Sequence, residues 1–203
     1  MRARPGRAPL IAAASVCGVL VAAAIALVVG LSSDGPGEVE IGFARDMRTH
    51  HMQAVQMAGI IRDRSDDPRI VTLATDIELT QQAQVGQMRG WLDAWGDTPN
   101  GSGAPMAWIG RAADADMTMS SENPAMPGMA TDAQTRELST ATGTDADLLF
   151  LRLMIEHHRG GVVMAQAARD GAEQPEVVAL ATSMVAAQQA EITAMEDLMK
   201  ELT

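Results

Sequence analysis

The sequence predicts an all-α protein, a four-helix bundle made of two repeated helical hairpins and preceded by one N-terminal transmembrane or signal helix. Three observations predict it. The chain repeats itself at an offset of 107 residues, and its apolar residues recur at helical spacing. Its core must be built from Ala, Leu, Val and Met, because only 2 Phe, 3 Trp and no Tyr occur in 203 residues. That composition favours packed helices over strands.

The repeat aligns residues 43–92 with residues 150–199 without a gap, and 19 of the 50 pairs are identical. Unrelated helical segments would match far less often, so the sequence indicates an internal duplication. The identical pairs include Phe43 with Phe150, Met47 with Met154, His50 with His157, His51 with His158, Met57 with Met164 and Pro68 with Pro175.

The N-terminus has the features of a targeting segment. Residues 1–9 contain three arginines, and residues 10–31 form an uncharged run that is long enough to cross a bilayer. The arginines predict a cytoplasmic N-terminus and export of the remainder. The length of the run favours a single-pass membrane anchor, and secretion after signal cleavage is the alternative. Cys17, the only cysteine, lies inside this run, so the exported part has no thiol.

The exported part, residues 38–203, divides into two hairpins and a connection. Hairpin one (38–95) contains predicted helices 38–64 and 68–95, which are separated by an Asp-Asp-Pro turn. Hairpin two (131–203) begins with a short capped helix and contains predicted helices 144–171 and 175–202. The connection (96–130) is predicted to be either a functional cover or a mobile crossover. It is rich in methionine: Met106, Met117, Met119, Met126 and Met129.

The charge of the chain excludes one class of partner. The net charge is −11, and beyond the three N-terminal arginines 12 basic residues face 26 acidic ones. A surface this acidic repels phosphate backbones, so no nucleic acid is expected to bind. The sequence allows a homo-oligomer.

All four histidines lie in two Met-x-x-His-His motifs, at residues 47–51 and 154–158. At 100° per residue, each methionine and its histidines fall on the apolar face of a helix, and helical bundles build metal sites on such inward faces. A second methionine follows each pair on the same face. The predicted metal ligands are Met47, His50, His51 and Met57 in hairpin one, and Met154, His157, His158 and Met164 in hairpin two.

The second helix of each hairpin carries predicted partners for the imidazole rings. If the first turn is centred near residue 66, antiparallel pairing brings the histidines level with a Gln-Gln pair, and the same holds in hairpin two. An amide oxygen can accept a ring N–H and so fix which nitrogen is free for a metal. These predicted partners are Gln81, Gln82, Gln188, Gln189 and, one turn beyond, Glu191.

The ligand types indicate the metal. Di-iron bundles use Glu-x-x-His, whereas the residue three before His50 and three before His157 is a methionine. Thioether together with imidazole favours copper, Cu(I) above all, while zinc gains little from methionine. The sequence therefore predicts copper. It contains no Ser-His-Asp triad, phosphate loop or dinucleotide fingerprint, which favours a binding protein over an enzyme.

The doubled pattern F-x-R-x-M-x-x-H-H-x-x-x-V-x-M-A, with the Q-Q-A segment after it, resembles a bacterial secreted family known as a domain of unknown function and marked by its His-His motif. The resemblance covers residues 38–202 and implies a ferritin-like bundle and copper binding, because the family includes a copper metallochaperone. The second copy matches the family pattern at Asp147, Phe150, Met154, His157, His158, Gly160, Met164 and Glu191. The first copy has Gln53 and Gln84 where the family has Gly and Glu, so the resemblance does not imply two equivalent sites.

Three functions stay open at this point. The first is an extracytoplasmic protein that binds, buffers or chaperones copper. The second is a ferritin-like, metal-dependent redox enzyme, against which the scarcity of carboxylates on the core faces argues. The third is a structural or interaction domain in which the buried histidines hold no metal.

Overall fold

The computed structural model describes residues 35–98, 101, 104–109 and 126–203. In these residues the fold is all-α, as predicted, and contains five helices and no strand. The four long helices begin and end within two residues of their predicted bounds. The helices are α1 (Glu38–Arg62), α2 (Pro68–Ala94), α3 (Asp132–Thr140), α4 (Gly143–Gly171) and α5 (Pro175–Leu202).

Local sequence signals set the helix boundaries. The side chain of Asp67 caps α2 by accepting the backbone N–H of Arg69, and Pro68 occupies the first helical position, where its missing N–H costs no hydrogen bond. The predicted capping box at the start of α3 is present, since Thr131 and Gln134 satisfy each other's backbone N–H groups. Pro175 begins α5 as Pro68 begins α2.

The long helices form two hairpins, α1 with α2 and α4 with α5, and the hairpins contact each other through α1 and α4. α1 packs along α2, α4 packs along α5, and α1 also packs on α4 within the compact unit Pro36–Thr203. One apolar cluster joins Met47 of α1 to Met164 of α4, and the other joins Met57 of α1 to Met154 of α4. α1 and α4 therefore run antiparallel, and both histidine pairs lie where the two helices cross.

The described parts of the connection pack on the hairpins. Asp46 of α1 accepts hydrogen bonds from the backbone N–H of Met106 (2.6 Å) and from the indole Nε1–H of Trp108 (2.8 Å). Burial raises the pKa of Asp46, while these two hydrogen bonds act in the opposite direction. Trp108 also packs edge-on against Phe43 and lies so close to Gly42 that a Cβ there would clash. Residues 104–109 are thus held against the first half of α1.

Several predicted features lie outside the described residues. These are the N-terminal span at 10–31, Cys17, Met117 and Met119. Among the residues that the structure does describe, no helix is long and apolar enough to cross a membrane.

Candidate metal centre

The four histidines form a row at the crossing of α1 and α4. The rings of His50 and His157, one from each hairpin, stack with centroids 3.7 Å apart and planes inclined by 30°. The ring of His51 lies 6.3 Å from that of His50, and the ring of His158 lies 6.3 Å from that of His157. All four rings are buried. The inner pair, His50 and His157, thus joins the hairpins. Each outer ring, His51 or His158, belongs to one hairpin, and the two ends of the row denote these two rings.

The outer histidines donate hydrogen bonds to the second helix of their own hairpin. His51 Nε2 lies 2.8 Å from Gln84 Oε1, and His158 Nε2 lies 2.6 Å from Glu191 Oε2. Each acceptor is 33 residues further along the chain. The two hairpins therefore hold their outer rings through equivalent positions, with an amide at one end and a carboxylate at the other.

The inner histidines donate to backbone oxygens. His157 Nε2 lies 3.0 Å from the carbonyl oxygen of His50, and His50 Nε2 lies 3.0 Å from the carbonyl oxygen of Pro127. Pro127 belongs to the connection, which here passes directly over the histidine row. A ring of hairpin two thus donates a hydrogen bond to the backbone of hairpin one, and a ring of hairpin one donates a hydrogen bond to the backbone of the connection.

These acceptors fix the tautomer of every ring. A carbonyl or carboxylate oxygen can only accept, so each Nε2 carries the proton and each Nδ1 of the neutral ring presents its lone pair. The Nδ1 atoms of His50, His51 and His158 are buried and have no hydrogen-bond partner in the structure. An unsatisfied buried polar atom costs about 1–3 kcal/mol, and binding an ion is one of the ordinary ways in which such an atom is satisfied. Each of these three nitrogens is therefore a candidate metal ligand.

Burial also favours the neutral form of three of the rings, His50, His51 and His157. It is the largest cause that lowers the pKa of His50 to about 4 and that of His51 to about 3. The pKa of His157 is lowered well below its usual range, again by burial first and then by the neighbouring histidines. A metal ion that bound these rings at pH 7 would therefore displace no proton from them.

The four predicted methionine ligands flank the row from inside the core. Met47, Met57, Met154 and Met164 are all fully buried. Each of the two apolar clusters takes one methionine from α1 and one from α4. Both hairpins therefore contribute a thioether to each cluster.

The predicted glutamine partners differ from those observed. The acceptor of His51 is Gln84, whereas the sequence predicted Gln81 and Gln82, because the ring leans toward the N-terminus of α1 and meets α2 one turn further from the hairpin turn. Gln82 is exposed, as is Gln189 in hairpin two. Gln81 and Gln188 are buried, and the Oε1 atom of each has no hydrogen-bond partner. Glu191 lies where it was predicted, one turn beyond the Gln-Gln pair, and contacts His158.

The connection contributes contacts that the sequence did not predict. The side-chain amide of Gln53 both donates to the backbone oxygen of Ala130 (2.8 Å) and accepts from its N–H (2.7 Å). Gly160, which is 107 residues further on, has no side chain, and a Cβ there would lie closer than 3.0 Å to the carbonyl oxygen of Pro127. This explains why the two copies differ at this position. Gln53 binds the connection through hydrogen bonds, whereas Gly160 leaves the space that the connection occupies.

The described residues contain no group of three or more His, Cys, Asp or Glu side chains placed to hold a metal ion.

The fold and this row define a class: an all-helical protein of two hairpins with stacked histidines at their crossing. Residues 40–199 match the family described as a domain of unknown function, DUF305. The chain belongs to the DUF305 family, which confirms the predicted membership.

Relatives of known structure extend the comparison. The chain is 44% identical to a DUF305 protein from Streptomyces coelicolor that is thought to be secreted, covering 81% of this chain and 93% of that one, with a TM-score of 0.73. It is 25% identical to CopM in a silver-bound form, covering 80% and 96% of the two chains, with a TM-score of 0.60. CopM has also been solved in Cu(I)-bound, Cu(II)-bound and apo forms.

A further match covers only one segment. The chain is 41% identical over 51 residues to the uncharacterised protein L153 of Acanthamoeba polyphaga mimivirus. The match spans 25% of this chain and 34% of the length of that protein.

Proposed function

We propose that this protein binds copper outside the cytoplasm, as a copper-binding, buffering or chaperoning protein, through its two Met-x-x-His-His motifs and with a preference for Cu(I). One observation carries the proposal. The Nδ1 atoms of His50, His51 and His158 are buried and unpartnered, while an oxygen acceptor at each Nε2 keeps the lone pair on Nδ1.

The donor chemistry supports copper over other metals. Neutral imidazole suits several first-row ions, but buried thioether sulfur adds affinity chiefly for soft ones. Met47 and Met154 lie one helical turn before the histidines and are fully buried. CopM, a relative with the same fold, has been crystallised with copper and with silver, both of which form soft monovalent ions. Copper is here the cargo of the protein, and nothing in the site requires it to react.

The extracytoplasmic location rests on the N-terminal sequence and on a relative. The run at 10–31 with its preceding arginines is the pattern of an exported protein. The Streptomyces coelicolor relative, thought to be secreted, supports export. Outside the cytoplasm a thiol-free site of methionine and histidine has no cysteine to lose to oxidation.

The proposal is tested by competition titration of the purified full-length chain with Cu(I), Cu(II) and Zn(II). The double substitution of His157 and His158 by Ala is expected to abolish tight Cu(I) binding at that end of the row. Met154→Leu keeps the bulk but removes the sulfur, so it should weaken Cu(I) about tenfold and Cu(II) much less. Met184→Leu is the matched control, because Met184 is also fully buried but lies in the apolar cluster that does not contain Met154.

Far-UV circular dichroism shows whether each variant keeps its helices. Cu(I) affinity that is unchanged in folded variants of both kinds would reject the proposed site and leave the histidines as structural groups.

A further inference from the structure

The two ends of the histidine row differ in one chemical respect. His51 at one end donates its Nε2–H to the neutral amide of Gln84, and His158 at the other end donates to the carboxylate of Glu191. The carboxylate contact is the shorter, 2.6 Å against 2.8 Å. Both acceptors stand 33 residues beyond their histidine, so the difference lies in the type of acceptor and not in its position in the fold.

The two outer rings share three further features. Both are fully buried, and the Nδ1 of each has no hydrogen-bond partner. Each follows a buried methionine by four residues, Met47 or Met154. The two ends therefore differ by a single formal charge, which is carried by the side chain that accepts the ring N–H.

That charge acts on a metal through the ring. A carboxylate that accepts the N–H of a ligating histidine raises the basicity of the opposite nitrogen, and its negative charge offsets that of the metal. The electrostatic gain is larger for a doubly charged ion than for a singly charged one. An amide fixes the same tautomer without adding charge. The preference between Cu(I) and Cu(II) at that end then depends on the thioether of the methionine one helical turn earlier, which favours Cu(I).

The acceptors at both ends, Gln84 and Glu191, are partly exposed, but only Glu191 carries a charge. The side chain of Glu191 is 25% exposed, whereas that of His158 is fully buried. At the His158 end a negative charge thus lies partly at the surface and is hydrogen-bonded to the buried ring.

We propose, on the basis of the copper-binding function proposed above, that the two ends of the row are unequal. The His158 end, backed by Glu191, favours Cu(II), and the His51 end, backed by Gln84, favours Cu(I). Gln84 and Glu191 are positioning residues that set the preference of each end through the ring they hold.

Reciprocal substitution tests this proposal. Glu191→Gln gives the His158 end an amide, and Gln84→Glu gives the His51 end a carboxylate. We expect Glu191→Gln to weaken Cu(II) binding at least tenfold, because the loss of such a partner typically costs about 10–100-fold in metal affinity, with a smaller effect on Cu(I). We expect Gln84→Glu to strengthen Cu(II) binding by a similar factor. Competition titration of the full-length chain measures both, and the nitrogen hyperfine pattern of bound Cu(II) in electron paramagnetic resonance reports whether its ligand set has changed.

Gln82→Glu is the matched control for added charge. Gln82 is on the same helix but exposed, so its substitution adds the same charge without touching the ring. If wild type and variants bind copper but neither reciprocal substitution changes the ratio of Cu(II) to Cu(I) affinity, the inequality is rejected while copper binding stands. An equal effect of Gln82→Glu and Gln84→Glu would also reject it, since the charge would then act without the hydrogen bond. A wild-type chain that binds no copper rejects the proposed function itself.

Discussion

Each histidine of the row has a hydrogen bond that selects its tautomer, and burial lowers the pKa of His50, His51 and His157. These three native rings therefore resist protonation, whereas the same rings in the unfolded chain titrate near pH 6.5. A group whose pKa is lowered in the folded state stabilises the fold above its unfolded pKa, and this stabilisation is lost as the pH falls toward the folded pKa. The metal-free protein should accordingly be sensitive to mild acid.

We expect the free energy of unfolding of the metal-free protein to fall between pH 8 and pH 5. With folded pKa values of about 4 for His50 and about 3 for His51, each ring accounts for a loss of about 2 kcal/mol at pH 5. Urea denaturation followed by circular dichroism at the two pH values measures the loss.

A folded His51→Gln variant has one titrating ring fewer, so its stability should depend less steeply on pH. Equal stability of the wild-type protein at pH 8 and pH 5 would contradict the buried, neutral state of the rings.

At the scale of helices, much of the fold could be predicted from the sequence, and the contacts around the site could not. Helix bounds are local properties, set by capping residues and prolines at positions 67, 68, 131 and 175. The grouping of histidine and methionine on one face follows from helical periodicity alone. The acceptor of His51 depends on how far a ring leans along its helix, which shifted the partner from Gln81 or Gln82 to Gln84.

The role of the connection was beyond prediction for a different reason. Pro127 contacts a histidine 77 residues earlier in the chain, and no periodicity links the two. The sequence shows that the copies differ there, because Gly160 stands at the position that Gln53 occupies in the first copy. The structural reason for this difference can be seen only from the path of the connection.

That path leads to a prediction for α4. Alanine normally stabilises a helix relative to glycine by about 1 kcal/mol. At Gly160, however, the new Cβ would press on the carbonyl of Pro127 and disturb its hydrogen bond with His50. We expect Gly160→Ala to lower the free energy of unfolding by about 1–3 kcal/mol, as measured by urea denaturation.

Gly86→Ala in α2 is the control, because nothing lies within 4 Å of a Cβ at this position. That substitution should leave the protein as stable or more stable by up to about 1 kcal/mol. If Gly160→Ala were as stable as Gly86→Ala, the connection would not lie against α4 as described.

At the scale of the whole molecule, the two hairpins are joined twice, by α1 packing on α4 and by residues 127–130 of the connection, which contact both helices. The acidic surface and the histidine row belong to the part of the chain that the N-terminal pattern marks for export. We expect a reporter enzyme that works only outside the cytoplasm to be active when it is fused after Thr203.

The matching test uses a reporter that is active only inside the cytoplasm, which should give no signal at the same fusion point. Removal of the three arginines before residue 10 is expected to reduce export. Activity of the cytoplasmic reporter alone would overturn the predicted topology.

The hydrogen bonds of the inner rings run in one direction, from His157 to the backbone of His50 and from His50 to the backbone of Pro127. Two identical hairpins related by a two-fold axis would have to treat each other alike, so neither could be the donor without also being the recipient. Fusion into one chain removes that symmetry requirement. Mutation can then alter the surroundings of one inner ring while leaving the other unchanged, a freedom that a symmetric pair of separate hairpins does not have.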